Sequence, residues 1–340
     1  MRRFWKYGYV AFLLSFVLGC DENKDNPIVY EDGIDFPEPP VQIMSNIDDT
    51  SSENDCVLLN YFNILKVDDN LYYMYYAALG RHSGKADIDQ GLYFAYSNDG
   101  FTWHRQLPDG KNNQIVASGI QEQSVFKMKS DKEMPYRLIA NIMEDGKHKL
   151  CMWKSKNGSA FDLSNKKVLL DDRLYDTQNV MIEKGNRLCL YTRLWGNKAR
   201  NRRIGVADFD LSGNKLTPLD TLYGDYVYNS AASYLNEQYD MLIPTFMNNA
   251  DGNDKSDKAY FVAYLNHDGN NRSYPINLNK WIKDDEKWVL AAPGIIKIGK
   301  DNYIAYNTRN WSHDTRMPEG GISRYYLIKV RVYKDGRQIL

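Results

Sequence analysis

The sequence predicts an all-β protein, a five-bladed β-propeller spanning residues 51–340. Three observations predict it. A meander of short strands recurs five times at spacings of 50 to 65 residues, the signature of propeller blades. No helical apolar period of useful length appears after residue 20. Aromatic residues make up 13 % of the chain, with 26 Tyr and 7 Trp, which strand propensity favours and which sugar-binding clefts also use.

Each repeat is a strand with a hydrophobic centre, a short turn, a Tyr-rich strand, and a third strand ending near Asp-Gly or Asn-Gly. The first reads NYFNILKVDDNLYYMYYAA (60–78) and GLYFAYSNDGFTWHR (91–105). The second is QSVFKMKSDKEMPYRLIAN (123–141) and HKLCMWKSKNGSAFD (148–162). The third is TQNVMIEKGNRLCLYTR (177–193) and RRIGVADFDLSGNKLT (202–217). The fourth is NSAASYLNEQYDMLIPTF (229–246) and AYFVAYLNHDGNNRSY (259–274), and the fifth is PGIIKIGKDNYIAYNTR (293–309) and YYLIKVRVYKDGRQI (325–339). Innermost strands are expected to start near 61, 124, 179, 231 and 294, with a closing strand from about 50–58 or from the C-terminus.

The N-terminus carries a separate signal. Arg2, Arg3 and Lys6 precede the apolar run YVAFLLSFVLG (9–19), too short to span a bilayer and suited to a signal-peptide core. The junction Val17-Leu18-Gly19-Cys20 resembles the bacterial lipobox, which implies residues 1–19 as signal peptide and Cys20 as the lipidated first residue of the mature protein. Residues 20–50, with DENKDNP and the proline-rich FPEPPVQ, are expected to be a flexible tether. Acidic residues after the lipidated Cys resemble the surface-export signal of Bacteroidetes lipoproteins, which implies an outer-membrane lipoprotein facing the medium. The formal charge is −1, near −4 once the leader is gone, and no basic cluster tracks one face, so a nucleic-acid partner is not expected. Cys56, Cys151 and Cys189 match no zinc spacing, and the latter two fall within strands as buried free thiols. No cofactor or metal motif is written in the chain. A Ca²⁺ held by ligands from separate blades would leave no short motif.

In a propeller the chemistry gathers where the innermost strands meet. Just before each repeat's first hydrophobic pair stand Asn60, Tyr61 and Asn63; Glu122 in GIQEQSVF; Asp176 in YDTQNVM; and Asp225, Tyr228 and Asn229 in GDYVYNSA. The fifth repeat offers Ala292-Pro293-Gly294 there, but NWSHDTRMPEGG (310–321) supplies His313, Asp314 and Glu319. Three repeats thus place a carboxylate at nearly one point. Glycoside hydrolysis uses two carboxyl groups flanking the bond, one protonated. Converging carboxylates raise one another's pKa, as a general acid requires.

The stretch YDTQNVMIEKGNRLCLYTRLWGNKARNRRIGVADFDL (175–211) resembles the third blade of bacterial five-bladed glycosidase-like proteins, in the superfamily of glycoside hydrolase families 32, 43 and 117. DYVYNSAASYLNEQYDMLIPTF (225–246) is similar to the next blade. The resemblance implies a surface-anchored glycoside hydrolase with Asp176, Glu122 and Asp225 at the channel mouth. Asn179, Arg193, Tyr228 and Asn229 would hold sugar hydroxyls, Trp195 would stack, and His313 and Glu319 would contribute from the late loop. The marker motifs of family 32 are absent, and Asn60-Tyr61-Phe62-Asn63 replaces the first-blade Asp-Pro of family 43. A non-catalytic glycan-binding lipoprotein is therefore the alternative, and a purely structural or protein-binding propeller the third reading. SNDGFTW (97–103) resembles the sialidase Asp-box; there Asp99 and Gly100 are expected to close a turn, and Trp103 to pack beside it.

Overall fold

A computed structural model describes residues 33–46, 58–79, 90–110, 114–116, 120–171, 175–194, 203–223, 227–230, 245–247, 260–265, 272–277, 288–310, 322–334 and 337–338. The main compact unit is Ile34–Arg331 (with Leu340), and a small second unit joins Met1–Gly33 and Val332–Ile339. Every regular element among the described residues is a strand.

Two N-terminal strands, β1 (Gly33–Asp35) and β2 (Val41–Ser45), precede the repeats. The first repeat folds as β3 (Leu58–Asp68), β4 (Leu71–Leu79), β5 (Gln90–Ser97) and β6 (Gln114–Val116). The second is β7 (Gln121–Lys127), β8 (Tyr136–Glu144), β9 (Lys147–Ser155) and β10 (Lys167–Leu170). The third is β11 (Tyr175–Lys184), β12 (Arg187–Leu194), β13 (Arg203–Asp210) and β14 (Asp220–Tyr223). The fourth is β15 (Val227–Ser230), β16 (Thr245–Met247), β17 (Tyr260–Leu265) and β18 (Arg272–Asn277). Each of these is a four-stranded antiparallel meander, and together they make four propeller blades. The last repeat gives β19 (Trp288–Ile298), β20 (Asp301–Asn310), β21 (Ile322–Lys334) and β22 (Arg337–Gln338). Its sheet is six-stranded, because β1, β2 and β22 all pair with β21.

The first strands of the sheets meet side by side: β19 lies against β3, β3 against β7, β7 against β11, and β15 against β19. Side chains staple two of them. Asn63 Nδ2 donates to the Val125 carbonyl at 3.0 Å, and the Val125 N–H returns a bond to Asn63 Oδ1 at 3.1 Å. Gln123 Nε2 donates to the Tyr61 carbonyl at 3.1 Å.

Cores form between neighbouring sheets. One joins Ile296, Ile298, Ala305, Tyr325 and Leu327 to Leu59, Phe62, Met74 and Tyr76, with the Phe62 and Tyr325 rings stacked 3.9 Å apart. A second joins Tyr73, Tyr75, Leu92 and Phe94 to Val125, Leu138 and Trp153. A third joins Ile139, Leu150 and Met152 to Met181, Leu188, Leu190 and Phe209. Tyr72, Tyr75, Tyr76, Tyr93, Tyr306 and Tyr325 are all fully buried, so these tyrosines serve packing rather than a sugar cleft.

The turn at 97–103 has the geometry expected of it. Asp99 Oδ1 accepts from the N–H groups of Phe101 and Thr102, both at 2.7 Å, and Gly100 sits at φ 81°. Trp103 packs against the first core. Ser155, Asn157 and Gly158 build the same turn in the second sheet, with Asn157 Oδ1 accepting from Ser159 and Ala160 and Gly158 at φ 79°. Cys151 and Cys189 are free and buried, and burial pushes both thiols up to about 11.

Two expectations need revision. The strands joined to β21 include β2, at 41–45, as well as the C-terminal β22, at 337–338; of the segment expected at 50–58, residues 50–57 lie outside the described residues. β2 lies inside the stretch assigned to the tether, whose proline-rich composition hides the short apolar run Val41–Met44; Ile43 and Met44 are buried. The inner strands also begin earlier than expected, at 58, 121, 175, 227 and 288. The polar residues before each hydrophobic pair belong to the strand, for the reason that follows.

Candidate functional site

Each of the five first strands has a break in register near its start. Leu59 pairs with Ala78 and Phe62 with Tyr76, so β3 carries one residue more than β4 across that interval. Gln121 pairs with Asn141 and Ser124 with Ile139, again one extra. Val227 pairs with Met247 and Asn229 with Phe246, also one extra. The breaks in β11 (Tyr175–Leu194, then Asn179–Thr192) and β19 (Leu290–Asn307, then Gly294–Ala305) each hold two. An extra residue kinks the strand and re-aims side chains, which is why bulges collect beside active sites.

These breaks give an exact correspondence between repeats. The first residue after the last regular pair is Asn60 in β3, Glu122 in β7, Asp176 in β11, Tyr228 in β15 and Ala291 in β19. Glu122 and Asp176 therefore occupy the same point of two strands that lie side by side. Arg193 lies on β12 between Thr192 and Leu194, opposite the β11 break and paired with Ile204 on its other side. Asn229 resumes the β15 ladder opposite Phe246.

Asp225, Trp195, His313, Glu319 and Cys20 lie outside the described residues. The strand ends flanking four of them are at the same end as the breaks. β14 ends at Tyr223 and β15 begins at Val227; β12 ends at Leu194, opposite Tyr175; β20 ends at Asn310, opposite Ile322 where β21 begins. Asn179 is buried, and its Oδ1 accepts from Thr192 Oγ1 at 2.6 Å, a bond that holds β11 on β12.

The sequence reading missed a set of buried polar groups at this end. Gln123 Oε1, both amide atoms of Asn141, both amide atoms of Asn307, and Thr308 Oγ1 are buried with no hydrogen-bond partner among the described residues. Asn141 stands opposite Gln121 and Asn307 opposite Leu290, each the last regular pair before a break. A buried unpaired amide costs about 1–3 kcal/mol, and native proteins retain such groups where they have work to do. The available signal was an asparagine closing an apolar second strand, in YRLIAN (136–141) and YIAYN (303–307). Comparing only the first strands of the repeats passes over it. Among the described residues no three His, Cys, Asp or Glu side chains come together as metal ligands.

No family model matches the chain, and no curated protein matches its sequence. Solved structures do match its fold. It is similar to the α-L-arabinofuranosidase PaAbf62A from Podospora anserina, in complex with cellotriose, at TM-score 0.54 and 12 % identity over 86 % of this chain and 95 % of that one. It is similar to sucrose-6-phosphate hydrolase from Lactobacillus gasseri at TM-score 0.58 and 10 % identity, over 88 % of this chain and 62 % of that one. It is also similar to an N-acetylgalactosamine deacetylase from F. plautii, in complex with blood group B trisaccharide, at TM-score 0.58 and 10 % identity, over 88 % and 95 %. At such identities the likeness shows the fold, and one fold hosting three named activities leaves function to the site.

Proposed function

We propose that this protein is a glycoside hydrolase acting on an oligo- or polysaccharide at the register-broken end of its inner strands. The observation that carries the reading is the placement of Glu122 and Asp176 at one equivalent point of the adjacent strands β7 and β11. Two neighbouring carboxyls can supply the acid and the base or nucleophile that glycosidic cleavage needs. Asp225 is the third carboxylate of the group, in the two-strand junction between Tyr223 and Val227. Arg193, Tyr228 and Asn229 are the polar groups nearest in the repeat, with Trp195, His313 and Glu319 in the connections that return to this end. The solved structures named above act on or bind saccharides, which supports the substrate class.

The sheet built on β19, β20 and β21 is the fifth blade in this reading, and β2 completes it as an outer strand, tying the N-terminal segment to the end of the ring. Lipidation at Cys20 would place the domain at the outer membrane facing the medium.

The test is a glycan screen followed by substitution. Glu122→Gln and Asp176→Asn keep size and remove charge, so each should lower kcat by about 10² or more at an unchanged melting temperature. Full activity in both variants on a substrate that the parent cleaves would refute the assignment. Asn60, where β3 has an amide at the position of the two acids, favours a second reading as a glycan-binding propeller without catalysis. That reading predicts saccharide binding with no product from any tested glycan.

A further inference from the structure

Asn141 and Asn307 hold matching places in two sheets. Each is on a second strand, in the last regular pair before the break of the first strand. Each faces the following sheet. Asn141 is two residues beyond Ile139, which packs against Met181, Leu188 and Leu190; Asn307 is two beyond Ala305, which packs against Leu59 and Phe62. Alternation along a strand puts i and i+2 on one face. So Asn141 is turned toward β11, beside β8, and Asn307 toward β3, beside β20. Both are at least 99 % buried, and among the described residues neither has a partner for nitrogen or oxygen.

The fold does not ask for an amide there. The same pairing position is Ala78 in the first sheet, Leu194 in the third and Met247 in the fourth. An apolar side chain would spare the free protein two unmet hydrogen-bonding groups at each site. Asparagine in both places leaves its amide atoms unmet among the described residues, where an apolar side chain would leave none. The strands that they face, β11 and β3, carry extra residues at just this level, where the ladder is interrupted.

We infer that Asn141 and Asn307 are saccharide receptors that engage when the adjacent breaks shift, each amide taking a hydroxyl of a neutral sugar. An amide offers one donor face and one acceptor face, which complements a hydroxyl that both gives and takes a hydrogen bond. A carboxylated sugar would instead call for cations. This assignment rests on the saccharide reading above and adds the residues, the neutral class and the coupling to a conformational step.

Asn141→Leu and Asn307→Leu test it, with Asn141→Ala and Asn307→Ala as smaller replacements should Leu not be accommodated. The protein is the whole mature chain with Cys20 replaced by Ser. The probes are oligosaccharides from arabinoxylan and β-mannan, and from polygalacturonate as the acidic comparison. Melting without sugar and titration calorimetry are the readouts. The substituted proteins should melt at or above the parent and bind the neutral oligosaccharides about tenfold or more weakly, the worth of one lost buried hydrogen bond. Variants that melt well below the parent and bind as tightly would make both residues structural and overturn the inference. A parent that binds only polygalacturonate fragments overturns the neutral class. A parent that binds none of the three overturns the saccharide reading itself, and the ligand assignment with it.

Discussion

Replacing Asn63 with Ala should destabilise the protein far more than its only partly buried position suggests. The side chain makes two hydrogen bonds to one residue of the neighbouring strand, 3.0 Å to the Val125 carbonyl and 3.1 Å from the Val125 N–H. Each is worth about 1 kcal/mol net, and Val125 is 3 % exposed, so its N–H is left unpaired away from water. The loss is therefore about 3 kcal/mol. With an unfolding entropy of roughly 2.1 cal/mol/K per residue, a chain of 340 residues changes its Tm by about 1.4 °C per kcal/mol, so the fall is about 4 °C. Calorimetry and urea titration measure it. Lys66→Ala on the same strand is the control: it removes an ion pair with the 96 % exposed Asp69, worth at most about 1 kcal/mol. Since Val125 lies three residues beyond Glu122, Asn63→Ala should also lower turnover on any cleaved glycan. A Tm within 1 °C of the parent, or a loss no larger than that of Lys66→Ala, would refute the idea that side-chain staples fix β7 against β3.

Two further outcomes follow from the same structure, and a third from the N-terminal sequence. Burial pushes the Asp99 carboxyl up, but bonds from the Thr102 and Phe101 N–H groups and from the Ser97 and Thr102 hydroxyls outweigh it and hold the group at about 2. Its stabilising share is thus present above the ordinary value of 3.8 and lost as pH falls through about 2, so Asp99→Asn should flatten the stability profile across that window. Cys151 and Cys189, raised to about 11 by burial, should stay unmodified by a thiol reagent at pH 8 until denaturant is added; rapid labelling of either in the native protein would contradict the packing. Cys20→Ser should move the protein from the membrane fraction to the soluble one, and unchanged membrane association would remove lipidation from the account.

The all-β propeller, four blades of which are shown, was legible because its signals are local and repeated. Strand–turn–strand units such as LYYMYYAAL and SNDGFTW recur every 50 to 65 residues, and each states its own conformation. β2 was not legible, since its pairing with β21 is a contact between chain ends and its five residues follow a proline cluster that reads as a linker. The site was half legible. Glu122 and Asp176 stood out as charges at the edge of hydrophobic runs, but their equivalence depends on register, which only the paired strand defines. Asn179 reads as a ligand because polar residues cluster around it, and its bond from Thr192 across the ladder is visible only in the structure. Asn141 and Asn307 carry no charge and end apolar strands, so burial alone reveals that their amides are unmet.

The central claim is that Glu122 and Asp176 face one pocket, and it is tested most directly by a crystal structure of Asp176→Asn soaked with an oligosaccharide that the parent binds. The account predicts sugar between the two side chains, with the Glu122 carboxyl and the residue 176 side chain about 5–10 Å apart. Side chains directed to separate surfaces, or a saccharide bound at the opposite end of the strands, would contradict it.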